Sequence, residues 1–143
     1  MEEQNFKNHG MLDPKFHYVL LPGFFLHLVY RVWMLISQGL TLEGVVSVLV
    51  AALLLFLTFM VRIYSLKVQD RVIRLEERLR MQSVLPEKMR GRIGELTEKQ
   101  LIGLRFAPDA ELAGLAEKAL AGNLDTKAIK SQVQNWRADH FRV

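Results

Sequence analysis

The chain contains no cysteine. That absence excludes disulfides, thiolate metal sites, iron–sulfur clusters and cysteine nucleophiles, and it leaves the redox compartment open. Other absences are local. Between Phe16 and Ile63 formal charge is confined to Arg31, Glu43 and Arg62, and Ser37–Glu43 holds no lysine or arginine. From Val45 to Leu85 there is neither proline nor glycine, and beyond Tyr64 long apolar runs are missing. No basic stretch precedes the first apolar run, where Glu2, Glu3 and Asp13 stand against Lys7 and Lys15. No small-x-small cleavage pattern follows it either, so that run reads as a retained helix rather than a cleaved leader.

What is present falls into two unlike halves, which the averages of 50% hydrophobic, 24% charged and net +4 conceal. A membrane-spanning helix needs about 20 mostly apolar residues. Phe16–Ile36 and Gly44–Ile63 both qualify, and Ser37–Glu43 between them is too short for anything but a tight antiparallel hairpin. Just beyond the second span lie Arg62, Lys67, Arg71, Arg74, Arg78 and Arg80. The enrichment of lysine and arginine on the cytoplasmic side predicts both termini there and the Gly39 loop outside.

Helical phase assigns the faces. Gly44, Ser47, Ala51, Thr58 and Arg62 fall within roughly 60° of one another at 100° per residue. Small residues let backbones approach in lipid, so Gly44, Ser47, Ala51 and Thr58 are expected to pack against the first helix. There His17, Phe24, His27, Arg31 and Gln38 share a sector of about 80°, with Pro22 able to kink the helix. Arg31 and Glu43 are expected to pair near the outer boundary, as a clip on the hairpin or as an ion or substrate contact. His27 lies mid-span. A neutral imidazole hydrogen-bonded to Ser47, Thr58 or a partner helix is one reading, and a haem ligand or proton relay is the other.

The second span is expected to continue as a charged helical stalk. In it Val68, Val72, Leu75, Leu79 and Gln82 alternate at spacings of four and three, an a/d seam about two heptads long. Acid-first pairs such as Asp70–Arg74 and Glu76–Arg80 stand four apart, the orientation that supports a helix. The arginines form a solvated face or touch anionic lipid head groups; nucleic-acid binding is disfavoured because acids break up the basic field.

Pro86 ends the stalk. Short helices are then expected at Glu87–Leu96, at Glu98–Phe106 behind a Thr97–Gln100 capping box, and at Asp109–Ala121 closed by Gly122. A last one opens at Asp125 or Thr126 and runs to about Trp136. They offer a marginal core alone, so either the stalk and membrane surface or a partner completes it. Trp136, His140 and Phe141 with two arginines at the end suggest docking into a groove on this chain or another. His9, His17, His27 and His140 lack metal-ligand spacing, and no phosphate loop, nucleophile elbow or paired carboxylates emerge.

Several stretches carry a resemblance. QNFKNH at Gln4–His9, LDP at Leu12–Pro14 and FH at Phe16–His17 open it. LKVQDRVIRLEERLR at Leu66–Arg80, RIGELTEKQLIGLRFA at Arg92–Ala107 and NWRADHFRV at Asn135–Val143 continue it. Together they resemble an uncharacterised bacterial family, the domain of unknown function 6526. The resemblance implies a two-span bacterial membrane protein and no activity.

The expected protein is all-α. Residues 1–15 form an N-terminal cytoplasmic segment, 16–63 the hairpin, 64–85 the stalk and 86–143 a small helical segment. Its expected place is the bacterial inner membrane, in contact with lipid, in an accessory or scaffold role without cofactor or small-molecule substrate. A protein partner or a second copy would bind through the stalk and C-terminal helices, with Arg62, Lys67, Arg71, Arg74, Arg78, Trp136 and Phe141 as contact residues. The alternatives are a redox or proton-handling subunit using His27, and an anionic-lipid or nucleic-acid binder using the stalk arginines. An enzyme acting alone is not expected, though a subunit of an enzyme complex is compatible.

Overall fold

The computed structural model describes residues 5–8, 10 and 12–139. Among them the chain is all-α, with six α-helices and no strand. The helices are α1 (Leu21–Gln38), α2 (Leu42–Val84), α3 (Glu87–Arg90), α4 (Glu98–Leu104), α5 (Asp109–Ala121) and α6 (Thr126–Gln132). The described residues group into two compact units, one of 12–67 and one of 68–139 with 5–8 and 10, so α2 contributes to both.

In the first unit, Asp13 opens the helical run. Its Oδ1 accepts the backbone N–H groups of Lys15 and Phe16, while Pro14 occupies the next position, where a missing N–H costs nothing. Phe16–Leu20 is a π-helical turn, with the Leu21 N–H donating to the Phe16 carbonyl. Pro22 accounts for this widening. It has no N–H to give, and its ring conflicts with the carbonyl four residues back. Together Phe16–Gln38 is long and apolar enough to cross a membrane, as is the apolar part of α2. The connector is only Gly39-Leu40-Thr41. Gly39 takes φ 89°, open to glycine at little cost, and Thr41 Oγ1 accepts the Gly44 N–H to cap α2.

The helices of this unit run antiparallel. Near the connector Gly44 faces Leu35, and a Cβ there would stand 2.7 Å from Leu35 Cδ1. At the other end the Phe16 and Phe59 rings meet edge-on at 6.4 Å. Facing residues of α2 are the least exposed: Ala51 and Thr58 are buried, and Gly44 and Ser47 half-buried. The outward faces are lined by exposed Phe25, Leu26, Trp33, Leu49, Leu53 and Phe56.

The second unit is built on the distal part of α2. Ile73, Glu77, Met81 and Leu85 are buried on one side of that helix. Met81 and Leu85 enter a core with Leu101 and Leu104 of α4, Leu112 and Leu115 of α5, and Ile129 of α6. The C-terminal helices thus complete their core on the stalk. Gly91 and Gly94 break the helix expected over Glu87–Leu96 into α3 and a single 3-10 turn at Ile93–Glu95. The Thr97–Gln100 capping box forms at the head of α4. The Gln100 side chain also donates to the carbonyls of Ala119 and Leu124, tying α4 to the end of α5. At Gly103, α4 and α6 cross so closely that a Cβ would stand 3.3 Å from Ile129.

Two helix ends differ from expectation. Gly122 keeps φ −99°, and the left-handed position after α5 is taken by Asn123 at φ 43°. The Leu124 N–H donates to Ala119 O, which closes a Schellman-type end with asparagine in the turn. The last helix stops at Gln132 rather than near Trp136, because Val133 turns extended and the next two N–H groups bond elsewhere.

Candidate functional site

Among the described residues no cluster of histidine, aspartate or glutamate is arranged to hold a metal ion. The polar and aromatic residues singled out above therefore have to be judged by what each one touches.

In the hairpin unit, Arg31 and Glu43 do not pair. Arg31 sits seven residues before the end of α1, about 10 Å down the axis at 1.5 Å per residue. Glu43 is the second residue of α2, so the two are not level. The Arg31 guanidinium instead lies 5.9 Å over the Tyr30 ring, while Glu43 is exposed in a first turn that favours an acid. His27 is half-buried and lines an open groove of about 320 Å³ with Val19, Leu20, Gly23, Phe24 and Leu54. Of the partners expected for it, Ser47, Thr58 or another helix, Thr58 is engaged elsewhere. Thr58 Oγ1 donates to Leu54 O of its own helix at 2.9 Å, which removes that hydroxyl proton from reach.

Arg62 also differs from its expected role as a lipid or partner contact. Its side chain is 14% exposed and points back to Asp13 at 3.9 Å, with the guanidinium 5.4 Å over the Phe16 ring. Lys67 lies 5.6 Å over the Tyr64 ring.

On the distal part of α2 the residues divide by face. Val68, Val72, Leu75 and Leu79 are 61%, 47%, 59% and 63% exposed, so this unit leaves the whole a/d seam uncovered. The opposite face is spent on the C-terminal helices, and the arginines divide with it. Arg74 pairs with Glu98 and donates through Nε to the Asp70 carbonyl. Arg80 donates to Glu77, Asp109 and the Ala107 carbonyl. The ion pairs expected at Asp70–Arg74 and Glu76–Arg80 give way to these partners, since packing against α4 and α5 supplies better-placed carboxylates. Arg71, Glu76 and Arg78 remain exposed along the seam.

The C-terminal stretch docks on its own unit. The Trp136 ring lies against buried Phe106, tilted at 38° with the centroids 4.8 Å apart, and the Arg137 N–H donates to Phe106 O. Glu111 accepts the Gln134 N–H, the Asn135 N–H and the Asn135 side chain. Partial burial pushes the Glu111 carboxyl up, and these three bonds outweigh it, so the group sits below the usual glutamate range. Arg137 reaches Glu77 at 3.1 Å, and Arg105 meets Asp139 at 3.3 Å. Trp136 is thus a self-contact. Phe141 lies outside the described residues.

Sequence reasoning missed Glu77 and Glu111 as organisers, and found Gln100 as the capping-box residue but not as the tie to the end of α5. Glu77 had a signal: it stands four residues from both Ile73 and Met81, in phase with the buried stripe.

Compared with known proteins, residues 1–143 match DUF6526, a family of unknown function. No curated protein and no solved structure matches.

Proposed function

On the premise that this chain belongs to DUF6526, a family of unknown function, we propose that it is a small integral membrane protein with an accessory, protein-binding role. Its two spans anchor a helical domain at the cytoplasmic face, and that domain presents one side of the stalk to a protein partner, either another protein or a second copy of the chain. The observation that carries this reading is the seam Val68–Val72–Leu75–Leu79, left uncovered while every other large apolar side chain of α3 to α6 is buried or half-buried. A row of four aliphatic residues on a water-exposed helix is disfavoured unless something covers it.

Support for the membrane placement comes from the hairpin unit. Its outward side chains are large, apolar and exposed in a belt free of acids from Phe16 to Leu42, which suits lipid and not water. The charge asymmetry between the Gly39 connector and Arg62–Arg80 supports cytoplasmic termini, and the family resemblance suggests the bacterial inner membrane.

The lipid-binding and nucleic-acid readings of the stalk are weaker, because Arg74 and Arg80 are committed to Glu98, Glu77 and Asp109. A second reading keeps one observation in its favour. The His27 imidazole borders an apolar groove without making a hydrogen bond among the described residues, which suits a redox or proton-handling subunit. A visible absorption band in the purified protein, lost in His27→Ala, would support it.

The primary reading is tested by mild-detergent extraction of native membranes and measurement of the intact assembly's mass. The expected result is a chain retained in the membrane fraction after alkaline washing and recovered in a stoichiometric assembly of more than one chain. A chain that is soluble without detergent, or a lone monomer, would overturn it.

A further inference from the structure

Resting on that reading, we infer that the occupant of the stalk seam is a second copy of this chain, joined to the first as a parallel two-stranded coil over Val68–Leu79. The register follows from the spacings of four and three. Val68 and Leu75 take d positions, and Val72 and Leu79 take a positions. The flanking positions of that register are then Gln69 and Glu76 at e and Arg71 and Arg78 at g. In a parallel dimer a g residue faces the partner's e residue five positions on, so Arg71 of each chain meets Glu76 of the other, twice by symmetry. Both side chains are exposed, and the ion pairs formed within the chain pass them by.

The packing of the C-terminal helices agrees with this register. A two-stranded coil buries a and d, flanks them with e and g, and leaves b, c and f outside. Along the seam, b, c and f are where the chain's own helices sit: Ile73 is a b residue, Met81 a c residue and Glu77 an f residue, and all three are buried, while Leu85, buried at a g position, lies past Leu79, the last residue of the coil. Positions a and d are the exposed ones. Each stalk therefore has a face for its own domain and a separate face free for a twin, and the two do not compete. Anchoring both copies in one membrane imposes the parallel orientation and raises their effective concentration, which a seam of only about two heptads needs. The attractive g–e′ pair distinguishes a self-complementary face from a generic greasy one.

The chain's lack of cysteine makes the test direct. Single variants Val72→Cys, Leu75→Cys and, as a control on the exposed surface of α6, Lys127→Cys are oxidised mildly in native membranes. Efficient disulfide dimers at 72 and 75, with little at 127, are the expected result. Charge reversal then reads the pair itself. Arg71→Glu or Glu76→Arg alone lowers dimer affinity on the order of tenfold, and the double reversal restores it, because two attractive pairs become repulsive and then attractive again. No cross-link at 72 and 75, equal cross-linking at 127, or a double reversal no better than the singles would overturn the coil. The same membrane samples keep the broader reading separate: a chain that stays membrane-bound in an assembly with a different protein, without seam cross-links, removes the dimer and leaves the accessory role standing.

Discussion

Glu77 offers the sharpest test of how the stalk holds its domain. It is 4% exposed, and its carboxylate accepts from Arg80 Nη1 at 2.9 Å and from Arg137 Nη1 at 3.1 Å. In Glu77→Ala both bonds go. Arg80 is not stranded, because it keeps Asp109 at 2.6 Å and the Ala107 carbonyl at 2.7 Å. The loss on that side is one charge-assisted bond, about 1.5 kcal/mol. The Arg137 side chain is 52% exposed, so solvent reduces the second bond to about 0.5 kcal/mol. The expected destabilisation is therefore about 2 kcal/mol, or a fall of roughly 10 °C in the midpoint of this unit. Unfolding of the full chain in detergent would be followed by Trp136 fluorescence in a Trp33→Phe background. Double-mutant cycles apportion the effect: coupling of Glu77 to Arg80 should exceed its coupling to Arg137 by about threefold. A midpoint within about 2 °C of the parent, or strictly additive double mutants, would refute the assignment of Glu77 as the buried bridge.

Other consequences can be checked with the same signal. The folded state holds Glu111 below its ordinary pKa of 4.5, so its contribution is present above that value and is lost as pH falls through the lower, folded one. Acid titration should free Trp136 before global unfolding, and Glu111→Gln should abolish that early step. Gly103→Val places a branched side chain against Ile129, where even a Cβ finds 3.3 Å, and should destabilise by about 2 kcal/mol or more by urea titration. In the hairpin, a Cβ at Gly44 would stand 2.7 Å from Leu35 Cδ1 and 3.0 Å from the capping Thr41 Oγ1, so Gly44→Ala should cost about 1 kcal/mol by disturbing that cap, and Gly44→Ile should separate the helices and shift a fluorophore pair placed on α1 and α2.

What the sequence made legible was governed by neighbours in the chain. The Thr97–Gln100 box, the bounds Asp109–Ala121 and the Asp125 cap each depend on residues three or four apart, and all appear in the structure. What it hid depends on distant partners. The last helix ends early because Glu111, more than twenty residues upstream, captures the N–H groups that would have continued it. A connector of Ser37–Glu43 would bring Arg31 and Glu43 close to one level, and its contraction to Gly39–Thr41 moves Glu43 onto α2 and leaves Arg31 two turns below the end of α1. Asn123 replaces Gly122 as the left-handed residue because asparagine also tolerates that conformation at modest cost.

The stalk shows why one helix can carry two apolar patterns and reveal only one. Val68, Val72, Leu75 and Leu79 form an unbroken aliphatic row, so periodicity finds them at once. The second row, Ile73, Glu77, Met81 and Leu85, is interrupted by a carboxylate and reads as surface until Arg80 and Arg137 are seen to neutralise it. A helix with a single partner needs a single stripe. Here the concealed stripe is filled by the chain's own domain, and the conspicuous one is left over. Were the conspicuous row merely incidental, its flanks would be free to carry any charge. Instead Arg71 and Glu76 occupy the two positions where opposite signs bind a parallel twin, so charge reversal at these two residues separates a built interface from leftover hydrophobicity.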